Sequence, residues 1–380
     1  MIEPEDNGAA DRFRSGFLGN IDGNDTKLVS VIVPAFNAAT NIRQTLDSVR
    51  VQTYQTFEVI VVDDGSADRT SDIVEEFVRA DSRFRLVRQE NRGVGDARNV
   101  GIRSARGKYI APLDADDFWY PEKLEKQVAR IQQCGSETGL VYCWSTFLDG
   151  QGDFVDKAYH LTVEGRLRHA FVMRNIVENA SIPLFRTNVF EKVGLYLTRD
   201  EQGGAQGCED WDLAMRVAEN FRIGLVPERL VAYRLTRNSM SADAESMAAS
   251  FATVLHRARE RNCDLPSDTF RWSRGNFYRY LANRCYYWGH YPRFVRYFKD
   301  ATIANPVLLL DAMTYRTLLK SVFDIILGLI GISPAERARE SSERMGKQVN
   351  LRRRKRNKIF NFIFNHIESK RWSAALNDES

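Results

Sequence analysis

The chain has 380 residues, 43% hydrophobic and 27% charged, the make-up of a folded protein with one large domain and a smaller one, or two of ordinary size. Its net charge of +4 is too small to argue for nucleic acid, and the five cysteines, odd in number and without CxxC spacing, argue against zinc or a disulfide framework and for a reducing, cytoplasmic setting. No stretch reaches the roughly 20 apolar residues of a membrane span; the nearest, 318–332, is interrupted by Lys320 and Asp324 and predicts an amphipathic helix lying on a membrane or on protein. Residues 1–27 are polar and acidic, which predicts a disordered leader and not a secretory signal.

From residue 28 a regular alternation begins. Residues 28–33 (LVSVIV) are an apolar, β-branched run that predicts a strand. Ile42, Leu46 and Val49 recur at helical spacing, 57–62 (FEVIVV) predicts a second strand, and Ile73, Val74, Phe77 and Val78 a second helix. A short strand at 84–87, a helix at 96–104, a strand at 108–113 and a helix at 121–131 opened by Pro121 follow. Strands are expected again at LVYCW and ASIPLF, and a helix after Asp210. The reading is an α/β fold with a mostly parallel central sheet and a helical C-terminal region. A change of pattern within 240–266 divides it into a leader (1–27), an α/β domain (28–243), a helical region (244–335) and a basic amphipathic tail (336–380). In such sheets ligands bind outside the carboxyl ends of the strands. The polar punctuation is expected there: PAFN, DDGS and LDADD.

LDADD places Asp114, Asp116 and Asp117 within four residues, a repulsive arrangement unless a cation offsets it. Hard divalent cations such as Mg²⁺ and Mn²⁺ take oxygen ligands, commonly one or two carboxylates together with substrate phosphates. In extended backbone Asp114 and Asp116 fall on one side. Solvated loop acids or a cap on the following helix would be the plain alternative. A second acidic group, Glu209, Asp210 and Asp212, opens a helix, where the helix dipole alone accounts for one or two acids.

VSVIVPAFN, VIVVDDGSADRT, ENRGVGDARNVGI, GKYIAPLDADDFWYPEKL and EDWDLAMRVA, in this order, resemble the motifs of family-two glycosyltransferases over roughly residues 28–240. The resemblance implies a GT-A (nucleotide-diphospho-sugar transferase) fold. It also implies inverting transfer of a sugar from a nucleotide-diphosphate donor, a UDP-sugar by preference, to a saccharide or lipid-linked acceptor, as in polysaccharide or glycoconjugate synthesis. Asp116, with Asp114 as partner or facing the ribose, would hold Mn²⁺ or Mg²⁺ on the donor diphosphate, and Asp117 would serve behind them or cap the helix. Pro34, Ala35 and Asn37 would wall the nucleotide, Asp64 would read a uracil N–H, and Asn91 and Arg98 would line the donor pocket, with Arg98 alternatively a buried partner of an Asp. Glu209 and Asp210 match the catalytic pair, Asp210 as general base, with Trp211 beside the acceptor or in the core.

The family often carries a His after the YR of a segment such as YRLTRNSMS; here Thr236 stands in that place, so Arg234 or Arg237 is a candidate source of positive charge. The basic run RRRKRNK at 352–358, followed by Phe360, Phe362, Ile363 and Phe364, suits an anionic membrane surface or a packing helix, with RNA a weaker option. Asn179-Ala180-Ser181 fits a glycosylation pattern and is read as chance. The competing functional class is a non-catalytic sugar-nucleotide-binding or membrane-associated scaffold of the same fold.

Overall fold

Two seven-residue, largely apolar runs become wholly buried strands. β1 (Val29–Ala35) and β2 (Phe57–Asp63) are buried along their whole length and pair in parallel, Val29 opposite Phe57 and Ala35 opposite Asp63. In the computed structural model the described residues are 27–148, 154–156, 161–235, 240–310, 318–319 and 358–377. The leader to residue 26, Thr236, Arg237, nearly all of 318–332 and the basic run at 352–357 lie outside them.

Helix α1 (Ile42–Arg50) turns Ile42, Leu46 and Val49 inward, all fully buried, and α2 (Thr70–Ala80) does the same with Val74 and Phe77. Each such side chain contributes about 1.5–3 kcal/mol of burial. β3 (Phe84–Arg88) adds to β2 in parallel, and β4 (Tyr109–Pro112) to the other side of β1. Between them α3 (Val94–Arg103) begins at Val94, because Gly93, at φ 96°, supplies the bend that opens it. β5 (Phe118–Trp119) and α4 (Lys123–Gln133) follow.

The later strands are β6 (Thr138–Leu148), β7 (Phe154–Asp156), β8 (Leu184–Arg186) and β9 (Arg222–Arg234). Helices α5 (Arg168–Met173), α6 (Val189–Val193) and α7 (Glu209–Asn220) lie between them in sequence. Among the described residues the sheet runs β3-β2-β1-β4-β8-β6-β9-β5, with β7 on β6. β8 is antiparallel to both β4 and β6, and β6 runs parallel to β9. The stretch ASIPLF is a strand only from Leu184. Before it, Asn179 accepts the backbone N–H of Ser181 on its side chain at 2.9 Å, which turns the chain out of the sheet.

The chain divides into two compact units. The first holds every described strand together with Ala249–Val254; the second holds Leu255 onward with Val172–Arg174. Helix α8 (Ala244–Arg261) is capped by Asp243, whose carboxylate accepts from the N–H groups of Glu245 and Ser246 at 3.1 Å each. Within the second unit α9 (Ser267–Tyr287) and α10 (Tyr291–Ala304) pack along each other, with Tyr286 against Phe294. Arg371, on α11 (Lys358–Asn377), lies 4.4 Å over the Trp272 ring and donates to Asn305, so this part of the tail packs on protein. Among the described residues no helix is long and apolar enough to cross a membrane, and all five cysteines are free.

Candidate functional site

β1, β2 and β4 end at one edge of the sheet, and the register brings LDADD, DDGS and PAFN together there. The Asp114–Asp117 turn closes with a 3.1 Å bond from the Asp117 N–H to the Asp114 carbonyl. Three elements pin it. Thr45 of α1 donates to the carbonyls of Ala115 (2.9 Å) and Asp117 (2.7 Å). Ser181 donates to the Asp117 carboxylate at 2.6 Å and accepts the Asp114 N–H at 3.0 Å. The Arg234 N–H, at the end of β9, reaches the other Asp117 oxygen at 3.0 Å.

The three acids therefore separate. Asp117 is fully buried and faces inward, while Asp114 and Asp116 stay partly exposed. Burial, then the charge of Asp114, pushes the Asp116 carboxyl up to about 6. Burial and both neighbouring acids raise Asp117 well above the carboxylate range. The Arg234 guanidinium stands beside this turn, donating to the Asp116 carbonyl (3.1 Å) and to Gln44 (2.6 Å).

Across the site Glu209 and Asp210 occupy the first turn of α7. Arg98, 1% exposed on α3, donates to Glu209 at 2.7 Å and to Asp114 at 2.6 Å, with its guanidinium 5.2 Å from the centre of the Tyr196 ring. Burial works against the Arg98 charge, but Asp114 and Glu209 outweigh it and raise the pKa further. Removing one partner of such a buried pair costs about 3–5 kcal/mol, because a charge is left uncompensated. Asp210 accepts the Trp211 N–H at 2.7 Å, and burial followed by the Glu209 charge pushes it up to about 7. Trp211 itself is a core residue: it is 4% exposed, stacks on Phe251, and donates to the Phe171 carbonyl. Asp212 pairs with Arg216 at 2.8 Å.

The PAFN and DDGS loops are laced together. Asn37, in the left-handed region at φ 48°, accepts the Ala67 N–H at 2.8 Å and donates its own N–H to Ser66 at 2.9 Å. Pro34 and Ala35 are buried residues of β1, and Phe36 after them is exposed. Asp63 caps the turn at the Ser66 N–H, whereas Asp64 points to the next loop. There its carboxylate accepts from the Gln89 side chain (2.7 Å) and from the N–H groups of Arg92 (2.9 Å) and Gly93 (2.8 Å). A carboxylate has about four acceptor positions, and three of those of Asp64 are filled by this loop. Asn91 is exposed at the same loop and is held by Arg199, which donates to its side chain and carbonyl at 3.0 Å each.

Asp114, Asp116, Glu209, Asp210 and Arg98 thus form one cluster, while Asn37, Asp64 and Asn91 line the neighbouring loops. Among the described residues no three His, Cys, Asp or Glu side chains converge on a metal position. The Asp114–Asp116 pair nevertheless fits a hard divalent cation that takes its remaining ligands from donor phosphates and water. Arg98 holds one Asp114 oxygen, and Asp116 is strained by like charge, the condition that a bound cation relieves. Sequence reading missed Ser181, Gln44, Thr45 and Arg199. Only Ser181 had a signal, the NAS pattern, and it pointed to surface chemistry instead of a buried turn.

Residues 30–176 match the model of glycosyl transferase family 2. Among curated relatives, EpsH of Bacillus subtilis (strain 168), a glycosyltransferase by provisional assignment, is 44% identical over 119 residues, 31% of this chain and 34% of its own. TuaG of the same organism, provisionally assigned to teichuronic acid biosynthesis, is 45% identical over 150 residues, 38% of this chain and 59% of its own. The chain therefore spans between a third and three-fifths of these two relatives. Among solved structures, S. aureus TarS 1–349 in complex with UDP superposes with a TM-score of 0.50 at 20% identity, covering 85% of this chain and 93% of that one. The mannosyltransferase PcManGT of Pyrobaculum calidifontis, in complex with GDP-Man and Mn²⁺, gives 0.51 at 17% identity, covering 85% and 92%.

Proposed function

We propose that the chain, whose residues 30–176 match the model of glycosyl transferase family 2 and which has the GT-A fold, is a metal-dependent, inverting glycosyltransferase of that family. It moves a hexosyl or N-acetylhexosaminyl group from a nucleotide-diphosphate donor, a UDP-sugar before a GDP-sugar, to a hydroxyl of a saccharide or lipid-linked acceptor in cell-envelope polysaccharide synthesis. The carrying observation is the division of labour among the carboxylates. Asp117 and Glu209 are buried and fully engaged, whereas Asp114, Asp116 and Asp210 remain partly exposed at the carboxyl edge of the sheet.

Asp210 takes the acceptor hydroxyl proton as that oxygen attacks the anomeric carbon in line, opposite the leaving diphosphate. A general base serves best when its pKa lies near the working pH, and Asp210 is pushed up to about 7. One displacement inverts the anomeric centre and needs no covalent intermediate. Asp116 and Asp114 would hold Mn²⁺ or Mg²⁺, which would offset the negative charge of the departing diphosphate. Arg234, 7% exposed and fixed by Gln44, adds positive charge beside the same turn. Asp64, with three of its about four acceptor positions filled by the loop, offers the remaining one to a ring N–H of the base. The UDP bound to TarS and the assignment of TuaG support the nucleotide and the envelope role. Incubating the protein with a panel of UDP- and GDP-sugars and Mn²⁺ tests the reading. Mn²⁺-dependent release of UDP or GDP is expected, and a panel with no turnover would overturn it.

A further inference from the structure

We propose that Arg98 is a positioning residue that joins the two acidic halves of the site, holding Glu209 and Asp114 on one guanidinium so that Asp210 stands at a fixed place beside the donor-binding pair. The inference rests on the transferase reading above. The two salt bridges link positions 111 and 16 residues away from Arg98 in sequence, one on α7 and one at the end of β4. At 1% exposure, with each terminal nitrogen turned to one of the two acids, the guanidinium presents almost no surface to a diphosphate.

The helix that carries Arg98 is itself locked to the segment leading to α7. Asn99, the next residue, donates to the Tyr196 carbonyl and accepts the Tyr196 N–H, both at 2.9 Å. One turn earlier, a Cβ on Gly95 would stand 2.2 Å from the Leu197 carbonyl oxygen, so only glycine permits this approach. Three residues of α3 thus fix the chain that delivers Glu209 and Asp210. The planar fork of arginine suits the task, since it grips two carboxylates in set directions, whereas a lysine ammonium is a point charge.

The test compares Arg98→Lys, Glu209→Gln and the double variant, after thermal melts confirm folding. Calorimetry in EDTA measures the affinity for UDP or GDP, whichever nucleotide the wild type binds, so that the metal-holding role of Asp114 does not enter, and turnover with Mn²⁺ gives kcat and donor KM. Nucleotide affinity is expected to stay within about threefold in each variant, while kcat falls by on the order of 10–100-fold, the scale of a roughly 1 Å misplacement of a reacting group. The double variant is expected to be no worse than about twofold below the poorer single one, because both break the same link. Loss of nucleotide affinity in Arg98→Lys in step with kcat would make Arg98 a diphosphate ligand and overturn the proposal, as would additive losses in the double variant. If Arg98→Lys fails to fold, the isosteric Glu209→Gln decides alone: unchanged kcat refutes the link. Wild-type protein without turnover on any nucleotide sugar would end the proposed function, and the nucleotide affinities would still separate a phosphate-binding Arg98 from a positioning one.

Discussion

Ser181 donates a 2.6 Å hydrogen bond to the fully buried carboxylate of Asp117. The same oxygen accepts the Asp114 N–H, so one hydroxyl fixes both ends of the acidic turn. Among the described residues, Ser181→Ala leaves Asp117 with only the Arg234 N–H on its carboxylate. Urea denaturation is expected to give a loss of about 1–3 kcal/mol. Unchanged stability would mean that the turn is held from the α1 side alone.

Asp210→Asn keeps the shape of the side chain and removes the base. The transfer rate is expected to fall on the order of 10²–10⁴-fold, with nucleotide affinity retained. The pH profile adds a sign. A base must be ionised to act, and Asp210 ionises as the pH rises through about 7, so wild-type kcat should climb across that range and then level off. Asp210→Asn should lose that limb, and a profile that falls with rising pH would exclude Asp210 as base.

Asp116→Ala is expected to reduce Mn²⁺-dependent UDP affinity on the order of 10–100-fold, the range seen when metal-site support is lost. Chelating the metal with EDTA should lower wild-type affinity to the same level. Calorimetry with and without Mn²⁺ checks both. Equal affinities for wild type and variant would remove Asp116 from the metal site.

Lys123 is buried and, among the described residues, its Nζ has no hydrogen-bond partner; it lies 3.8 Å from the centre of the Trp119 ring. Burial lowers its pKa to about 7 from 10.5. Between those values the unfolded chain binds more protons than the folded one, so this group makes stability rise with pH across that window. Lys123→Met should flatten the rise and leave stability at pH 7 equal to wild type or higher. Denaturation curves at pH 7 and pH 9 test it, and a steeper rise in the variant would contradict the assignment.

Much of the scaffold was legible because apolar period encodes burial directly: LVSVIV and FEVIVV are the wholly buried strands β1 and β2, and Ile42, Leu46 and Val49 the inner face of α1. The polar strand ends were legible because a parallel sheet gathers its carboxyl termini. What periodicity does not carry is a hydrogen bond between distant segments. Ser181 lies 64 residues from Asp117, inside a stretch whose apolar pattern reads as strand. Arg98 sits in a motif that suggests ligand contact, yet its two partners are set by the meeting of α3, β4 and α7. Trp211 read equally as acceptor platform or core, and its burial, its stack on Phe251 and its bond to the Phe171 carbonyl decide for the core.

The grip of Asp64 on the loop from Gln89 to Gly93 has an entropic consequence. Three donors converge on one buried carboxylate, two of them main-chain groups that cannot swing aside. Fixing a residue's backbone costs about 1–2 kcal/mol, and for this loop that cost is settled during folding instead of at each encounter with a ligand. A small molecule arriving at this rim meets a surface already set, so its association depends on diffusion and fit and not on waiting for the loop to order.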